Sequence, residues 1–204
     1  MLQVLNYYRD CFRGPGGQIG RCNMGEIHLD TGDAKPIYAR SNRAAWKEKV
    51  EIEKQVQEML RQGIIEPSKS SWSSRVVLAR KPDSTWRFCA DYRAINSKLK
   101  KDVYPLPNVV EALSSLEGSK WFSNIDLQAG FHQLPLTADS KEKTSFITTN
   151  GLYQFKVLPF GIVTAPAHFQ RTMDLILAGL GWLICLVYLD DVIVHAANLE
   201  EHLD

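Results

Sequence analysis

Apolar positions along the chain follow two periods. Between residues 42 and 62, Ile52, Val56, Met59 and Leu60 recur at helical spacing, with Trp46 and Val50 as a neighbouring stripe and Gly63 as a stop. A helix is predicted there. GIIEPSKSSWSS then reads as a Ser-rich crossing loop, RVVLAR as a strand, KPDSTW as a turn and RFCADYR as the returning strand. That hairpin gathers Arg80, Lys81 and Arg87 near its tip. Pro105 and Pro107 open a second helix with Val109, Leu113 and Leu116 on its buried face, and Gly118 closes it. WFSNIDL reads as a strand ending at Asp126, and TSFITTNGLYQFKVL as two strands around an Asn-Gly turn. Thr164 caps a third helix with Phe169, Met173, Ile176 and Leu177 facing inward. LICLVYLDDVIV returns to β structure through a tight turn at its two aspartates, and NLEEHLD begins another helix. Residues 1–40 look irregular: GPGGQIG signals a flexible loop, TGD a turn, and Pro36 a stop.

Hairpins separated by helices predict an antiparallel sheet with helices covering one face, an α+β layer architecture. Composition narrows the class. Across 204 residues, 45% are hydrophobic, enough for a sizeable core and too many for a disordered chain. The longest apolar run, roughly Leu180 to Leu189, falls short of the ~20 residues a membrane-crossing helix needs, and MLQVLNYYRDCF has charges where a secretory signal has an apolar centre. The four cysteines are scattered without a CxxC pair, as reduced thiols would be. No HExxH occurs, and Cys22 with His28 lacks a second pair to complete a zinc site.

The net charge of +1 is uninformative, but its distribution is not. Residues 69–101 hold nine Lys/Arg against two Asp, whereas the last fifteen residues hold five acids and no Lys or Arg. A basic region and an acidic one in the same chain suit a protein that holds a polyanion and concentrates cations elsewhere. A solvated basic face is the competing account.

The acidic end contains CLVYLDDVIV, in which Asp190 and Asp191 interrupt an apolar segment. A plain hairpin turn accounts for them only in part, because adjacent carboxylates between apolar strands repel and lose hydration at a cost of several kcal/mol. A divalent cation would offset that cost. Asp126, at the end of WFSNID and before the small Ala129 and Gly130, supplies a third carboxylate if the two strands share a sheet. Ligation by oxygen alone favours Mg²⁺ or Mn²⁺ over zinc, and two such ions about 3.5–4 Å apart are the device for in-line phosphoryl transfer. The basic hairpin would then bind triphosphate charge.

The motifs QVQEMLRQGIIEPSKSSWSS, KPDSTWRFCADYRAIN, YPLPNV, FSNIDLQAGFHQLPL, KTSFITTNGLYQFKVLPFGIVTAPAHFQ and YLDDVIV follow one another along essentially the whole chain. In this order they resemble the reverse transcriptase of gypsy-type long-terminal-repeat retrotransposon Pol polyproteins. The resemblance implies a right-hand polymerase palm, an antiparallel sheet backed by helices, with a fingers subdomain. It makes Asp126, Asp190 and Asp191 the metal-binding catalytic carboxylates for two Mg²⁺ ions, with Mn²⁺ as substitute. It makes Lys81 and Arg87 the residues gripping the triphosphate, as a point charge and a fork. Backbone amides from Leu127, Gln128, Ala129 and Gly130 would cradle phosphate, and Phe131 would be the aromatic gate that leaves no room for a 2′-hydroxyl. Phe160 and Gly161, in LPFG, would lie near the incoming nucleotide, and Tyr188 would contact the primer.

The same resemblance implies an RNA-directed DNA polymerase that transfers nucleotides from dNTP to a primer 3′-hydroxyl on an RNA or DNA template. Residues 1–40 would be a lead-in from the protease junction, 41–118 mainly fingers with part of the palm, and 119–204 mainly palm, ending before the thumb. Further partners would be the rest of the polyprotein, thumb and ribonuclease H included, with no membrane, and localisation cytoplasmic in a virus-like particle. Two departures stand out: Ser71 and Arg75 occupy positions where the family often has proline, and His195 one where it often has an aromatic. The alternative is a truncated or domesticated, non-catalytic fragment that at most binds nucleic acid or a protein partner.

Overall fold

The computed structural model describes residues 2–12, 17, 19–40, 45–188 and 190–203. Most of the expected GPGGQIG loop and the first residues of the expected helix at 42 lie outside them. In chain order the helices are α1 (Leu2–Tyr7), α2 (Trp46–Arg61), α3 (Arg93–Asn96), α4 (Val109–Ser115), α5 (Ala138–Lys143), α6 (Ala165–Ile176) and α7 (Leu199–Leu203). The strands are β1 (Ile65–Pro67), β2 (Ser74–Arg80), β3 (Trp86–Asp91), β4 (Trp121–Asp126), β5 (Phe146–Ile147), β6 (Leu152–Phe155), β7 (Cys185–Tyr188) and β8 (Asp191–Ala196). The chain divides into two compact units. One comprises residues 1–20, 103–130 and 166–204, the other residues 21–102 and 131–165.

Each unit draws on separate stretches of the chain, because strands distant in sequence complete each other's sheets. In the second unit the strand order is β1-β6-β5-β2-β3. Its β2–β3 hairpin runs from Arg75 opposite Asp91 to Arg80 opposite Trp86, while β5 joins β2 in parallel, so the sheet is mixed rather than antiparallel throughout. β1 lies within the expected Ser-rich loop. Its three residues carry too short a pattern to read alone and are fixed by pairing with β6, Ile65 opposite Phe155. Phe146, Phe155, Leu136, Val157 and Tyr92 form the core here, each under 5% exposed, with Val56 of α2 fully buried. Gln55 of α2 donates to the Trp86 carbonyl and accepts from the Phe88 amide, satisfying part of the β3 edge.

Residues 21–40 are an integral strap of this unit. The Cys22 amide donates to the Gln133 carbonyl at 2.7 Å, the Ile27 amide to the Pro135 carbonyl at 2.7 Å, and the Ala39 amide to the Ser73 carbonyl at 3.0 Å. Leu29 is 1% exposed, and its amide donates to the buried Ser140 hydroxyl. Irregular local pattern therefore hides strong tertiary anchoring, since these backbone groups find partners far along the chain.

In the first unit the sheet is β4-β8-β7, antiparallel throughout. Phe169 and Met173 of α6 and Cys185, Leu186, Val187 and Val192 of the β7–β8 hairpin are buried, but Ile176, expected to face inward, is 48% exposed. Two other expectations fail. Thr164 does not cap α6: its hydroxyl is buried without a hydrogen-bond partner. Pro166 in the first turn suits the helix start instead, because no intrahelical partner is needed there. The apolar face of α4 is not packed into a core either: Val109 is 51% and Leu113 64% exposed. Both line a cavity of about 480 Å³ shared with Leu177, Trp182, Leu186 and Tyr188.

Candidate active site

The site in the first unit begins with the alternation of β4 and β8. Their register sets Ile125 opposite Val192 and Asp126 opposite Asp191, and Tyr188 of β7 flanks Asp191 on the other side. Apolar arms on either side of the bend hold that register, because a one-residue slip would turn Val192 to solvent. Asp190 lies in the bend, and its carbonyl accepts from the Leu127 amide at 3.0 Å, tying the end of β4 to the hairpin. The expected convergence of the Asp126 strand and the aspartate pair in one sheet is thus observed.

The electrostatics are unbalanced. Burial first, then the charges of Asp126 and Asp191, raise the Asp190 carboxyl above its usual range. Its Oδ1 is buried with no hydrogen-bond partner. Asp191 Oδ1 accepts a long contact from the Asn124 side-chain Nδ2 at 3.4 Å. Among the described residues no three His, Cys, Asp or Glu side chains already stand as a preformed cage for an ion. The donor set nevertheless fits a divalent cation. It consists of carboxylate oxygens, and the orphaned Asp190 Oδ1 is a charge that the protein itself leaves unpaired.

The loop after β4 closes on the same carboxylate. Ala129 has φ of 49°, a left-handed turn uncommon for a residue with a side chain. Gly130 follows because nothing larger fits: a Cβ there would come within 2.8 Å of Phe169 Cε2 and 2.9 Å of Asp190 Oδ1. The Leu127 amide, expected to help cradle phosphate, is already committed to the Asp190 carbonyl. Gln128 lies in the turn between them.

The second unit holds the other candidates. Lys81 sits at the tip of the β2–β3 hairpin, where its amide donates to Thr85 and its carbonyl accepts from Ser84. Asp83 accepts from the Thr85 amide and hydroxyl, stiffening the turn. Lys81, Arg87 and Arg80 are all exposed, and the guanidinium of Arg80 lies 5.0 Å from the Trp86 ring centroid. Phe131 and Phe160 meet with ring centroids 5.1 Å apart, and His132 stands 5.0 Å from Phe160 in a T-shaped pair. Burial, with the nearby Arg21 charge, lowers the His132 imidazole to about 4. Gly161 turns with φ of 93°.

Sequence reasoning missed Asn96, whose side chain joins the Gly161 and Val163 backbone, and Asn124 and Phe169 beside the carboxylates. Asn96 ends the short helix of RAIN, but no local pattern tells which distant loop an amide will hold.

Residues 79–204 match the family described as "Reverse transcriptase (RNA-dependent DNA polymerase)". Over 98% of its length the chain is 40% identical to the retrovirus-related Pol polyprotein from transposon 297 of Drosophila melanogaster, of which it covers 20%. It is 35% identical over 85% of its length to the corresponding polyprotein of transposon gypsy from the same organism, covering 17% of it. The chain therefore spans about a fifth of these curated relatives. Among solved structures, a foamy viral protease-reverse transcriptase in complex with RNA/DNA hybrid superposes with a TM-score of 0.88 at 27% identity, over 98% of this chain and 27% of that one.

Proposed function

The chain belongs to the reverse transcriptase family, and from that premise we propose that it is the fingers and palm of an RNA-directed DNA polymerase within a retrotransposon Pol polyprotein. The observation that carries the reading is the pairing of Asp126 with Asp191 beside the unpartnered Asp190 oxygen.

Asp126, Asp190 and Asp191 hold the divalent metal that the family generally needs, Mg²⁺ by preference and two ions in all. Bound there, the metal supplies Lewis-acid activation of a primer 3′-hydroxyl and charge neutralisation of the departing pyrophosphate. The protein's own groups do the rest. Lys81 and Arg87 bind the triphosphate of the incoming dNTP. Phe131 closes the space beside the sugar, so that a 2′-hydroxyl is excluded. Backbone amides of the turn at Gln128, Ala129 and Gly130, together with the Phe160–Gly161 segment, border the nucleotide, and Tyr188 contacts the primer end. Template and primer are RNA or DNA; the foamy viral relative was solved with RNA/DNA hybrid. Among the described residues no helix is long and apolar enough to cross a membrane; the cytoplasmic particle as the place of work rests on the family resemblance alone.

The test is primer extension on an RNA template with Mg²⁺, using the chain alone, the chain joined to the downstream region of the transposon 297 polyprotein, and Asp190→Asn of each. Extension that disappears with Asp190→Asn is expected. Absence of any nucleotide addition by the joined protein would leave only the alternative, a fragment that binds nucleic acid without copying it.

A further inference from the structure

Phe160 is 48% exposed, so burial does not fix its ring. Two other things do. Its neighbours are aromatic: Phe131 at 5.1 Å and His132 at 5.0 Å between centroids, spacings at which tilted and edge-on rings attract. Its backbone sits in a turn that Asn96 holds from outside. The Asn96 side-chain amide donates to the Gly161 carbonyl at 2.8 Å, and its carbonyl accepts from the Val163 amide at 3.0 Å. One side chain thus satisfies both a donor and an acceptor of the segment that follows Phe160. Gly161, at φ of 93°, packs on Tyr92, where an added Cβ would lie 3.5 Å from the ring. Tyr92 itself is 2% exposed and donates to the Thr144 carbonyl at 2.8 Å. The turn is therefore seated on a rigid part of the unit, and Asn96 sets its position.

We propose that Asn96 is a positioning residue for sugar selection. It pins the turn at 161–163, the turn carries Phe160, and Phe160 backs the ring of Phe131. A gate discriminates only if its ring cannot swing aside, because rejecting a single hydroxyl depends on sub-ångström closure. Neither Asn96 nor Phe160 needs to touch the hydroxyl: both act by denying Phe131 room to retreat. The proposal rests on Phe131 being the gate.

The experiment measures equilibrium binding of dATP and ATP to the full chain with Mg²⁺ and a primer–template whose primer ends in a 3′-deoxynucleotide, so that neither nucleotide is incorporated. Variants are Asn96→Ala, Phe160→Leu, Phe131→Ala and each of the first two combined with Phe131→Ala, with thermal melting to establish folding. Asn96→Ala and Phe160→Leu are each expected to reduce the preference for dATP over ATP about tenfold, mainly by admitting ATP. Neither is expected to change it further in the Phe131→Ala background, because the ring they support is then gone. An unchanged preference in folded Asn96→Ala and Phe160→Leu, or an equal effect with and without Phe131, overturns the relay while leaving the gate in place. Where Asn96→Ala does not fold, Phe160→Leu decides by the same criteria. If the wild-type chain binds both nucleotides alike, or Phe131→Ala keeps the preference, the gate reading fails and the relay with it.

Discussion

Asp126 of β4 stands directly opposite Asp191 of β8 in the antiparallel register. Cross-strand like charges destabilise a sheet, and here a third carboxylate, Asp190, lies in the adjoining bend with one oxygen unsatisfied. Such an arrangement puts function and stability in opposition.

Asp190→Asn should therefore separate the two. Primer extension should fall by at least about a hundredfold, the scale of losing a dedicated electrostatic group at a reacting centre. Without divalent cations, the melting temperature should rise, since the substitution removes repulsion from Asp126 and Asp191. Calorimetry in chelator, beside the extension assay, checks both; a lower melting temperature in chelator would contradict the repulsion.

Gly130→Ala tests the close approach at the loop. The added methyl meets Phe169 and Asp190 Oδ1 inside 3.0 Å, and Gly130 is absent from the positive-φ positions, so the effect is steric and not conformational. Phe169→Leu in the same chain should recover most of the lost melting temperature by shortening the ring. The contact with Asp190 remains, so Mn²⁺ affinity, read by electron paramagnetic resonance, should stay weakened about tenfold.

Arg87→Ala is expected to raise the KM for dNTP about tenfold with a smaller change in kcat, as loss of a ground-state phosphate contact does. Arg87→Lys should restore less than half of the affinity in free-energy terms, because a point charge cannot reproduce the fork. Steady-state kinetics at two salt concentrations reads both, and full recovery by lysine would remove the argument for a bidentate contact.

His132 should make the second unit acid-sensitive. Its folded value, about 4, lies below the ordinary 6.5, so the neutral ring is the form the fold favours. Its contribution is intact above about 6.5 and is lost as pH falls towards 4, by about 3 kcal/mol at the limit. Urea unfolding of wild type and His132→Phe at pH 7 and pH 5 isolates this: the wild type should lose more stability than the variant, and equal losses would show that the ring does not resist protonation.

The sequence made legible what short-range pattern encodes. The β2–β3 and β7–β8 hairpins, α2 and the strand ending at Asp126 all carry clean periodicity and turn chemistry, and two of the three acids interrupt an apolar run that makes them conspicuous. Long-range partnerships were not legible. β1 exists through β6, the strap at 21–40 through groups near residues 133–140, and the role of Asn96 through a loop more than sixty residues away. The α4 stripe misled for a related reason: amphipathic spacing says which face is apolar, not whether anything covers it.

The five-stranded sheet has a consequence for synthesis. Its central strands, β6 and β5, are made last, after β1, β2 and β3 have already left the ribosome. Until residues 146–147 emerge one edge of β2 stays bare, and until residue 155 emerges β1 lacks its full pairing with β6, an invitation to pair with another nascent chain. An element copy whose reading frame broke between residues 92 and 146 would thus yield a sticky, half-built sheet and not a smaller working domain.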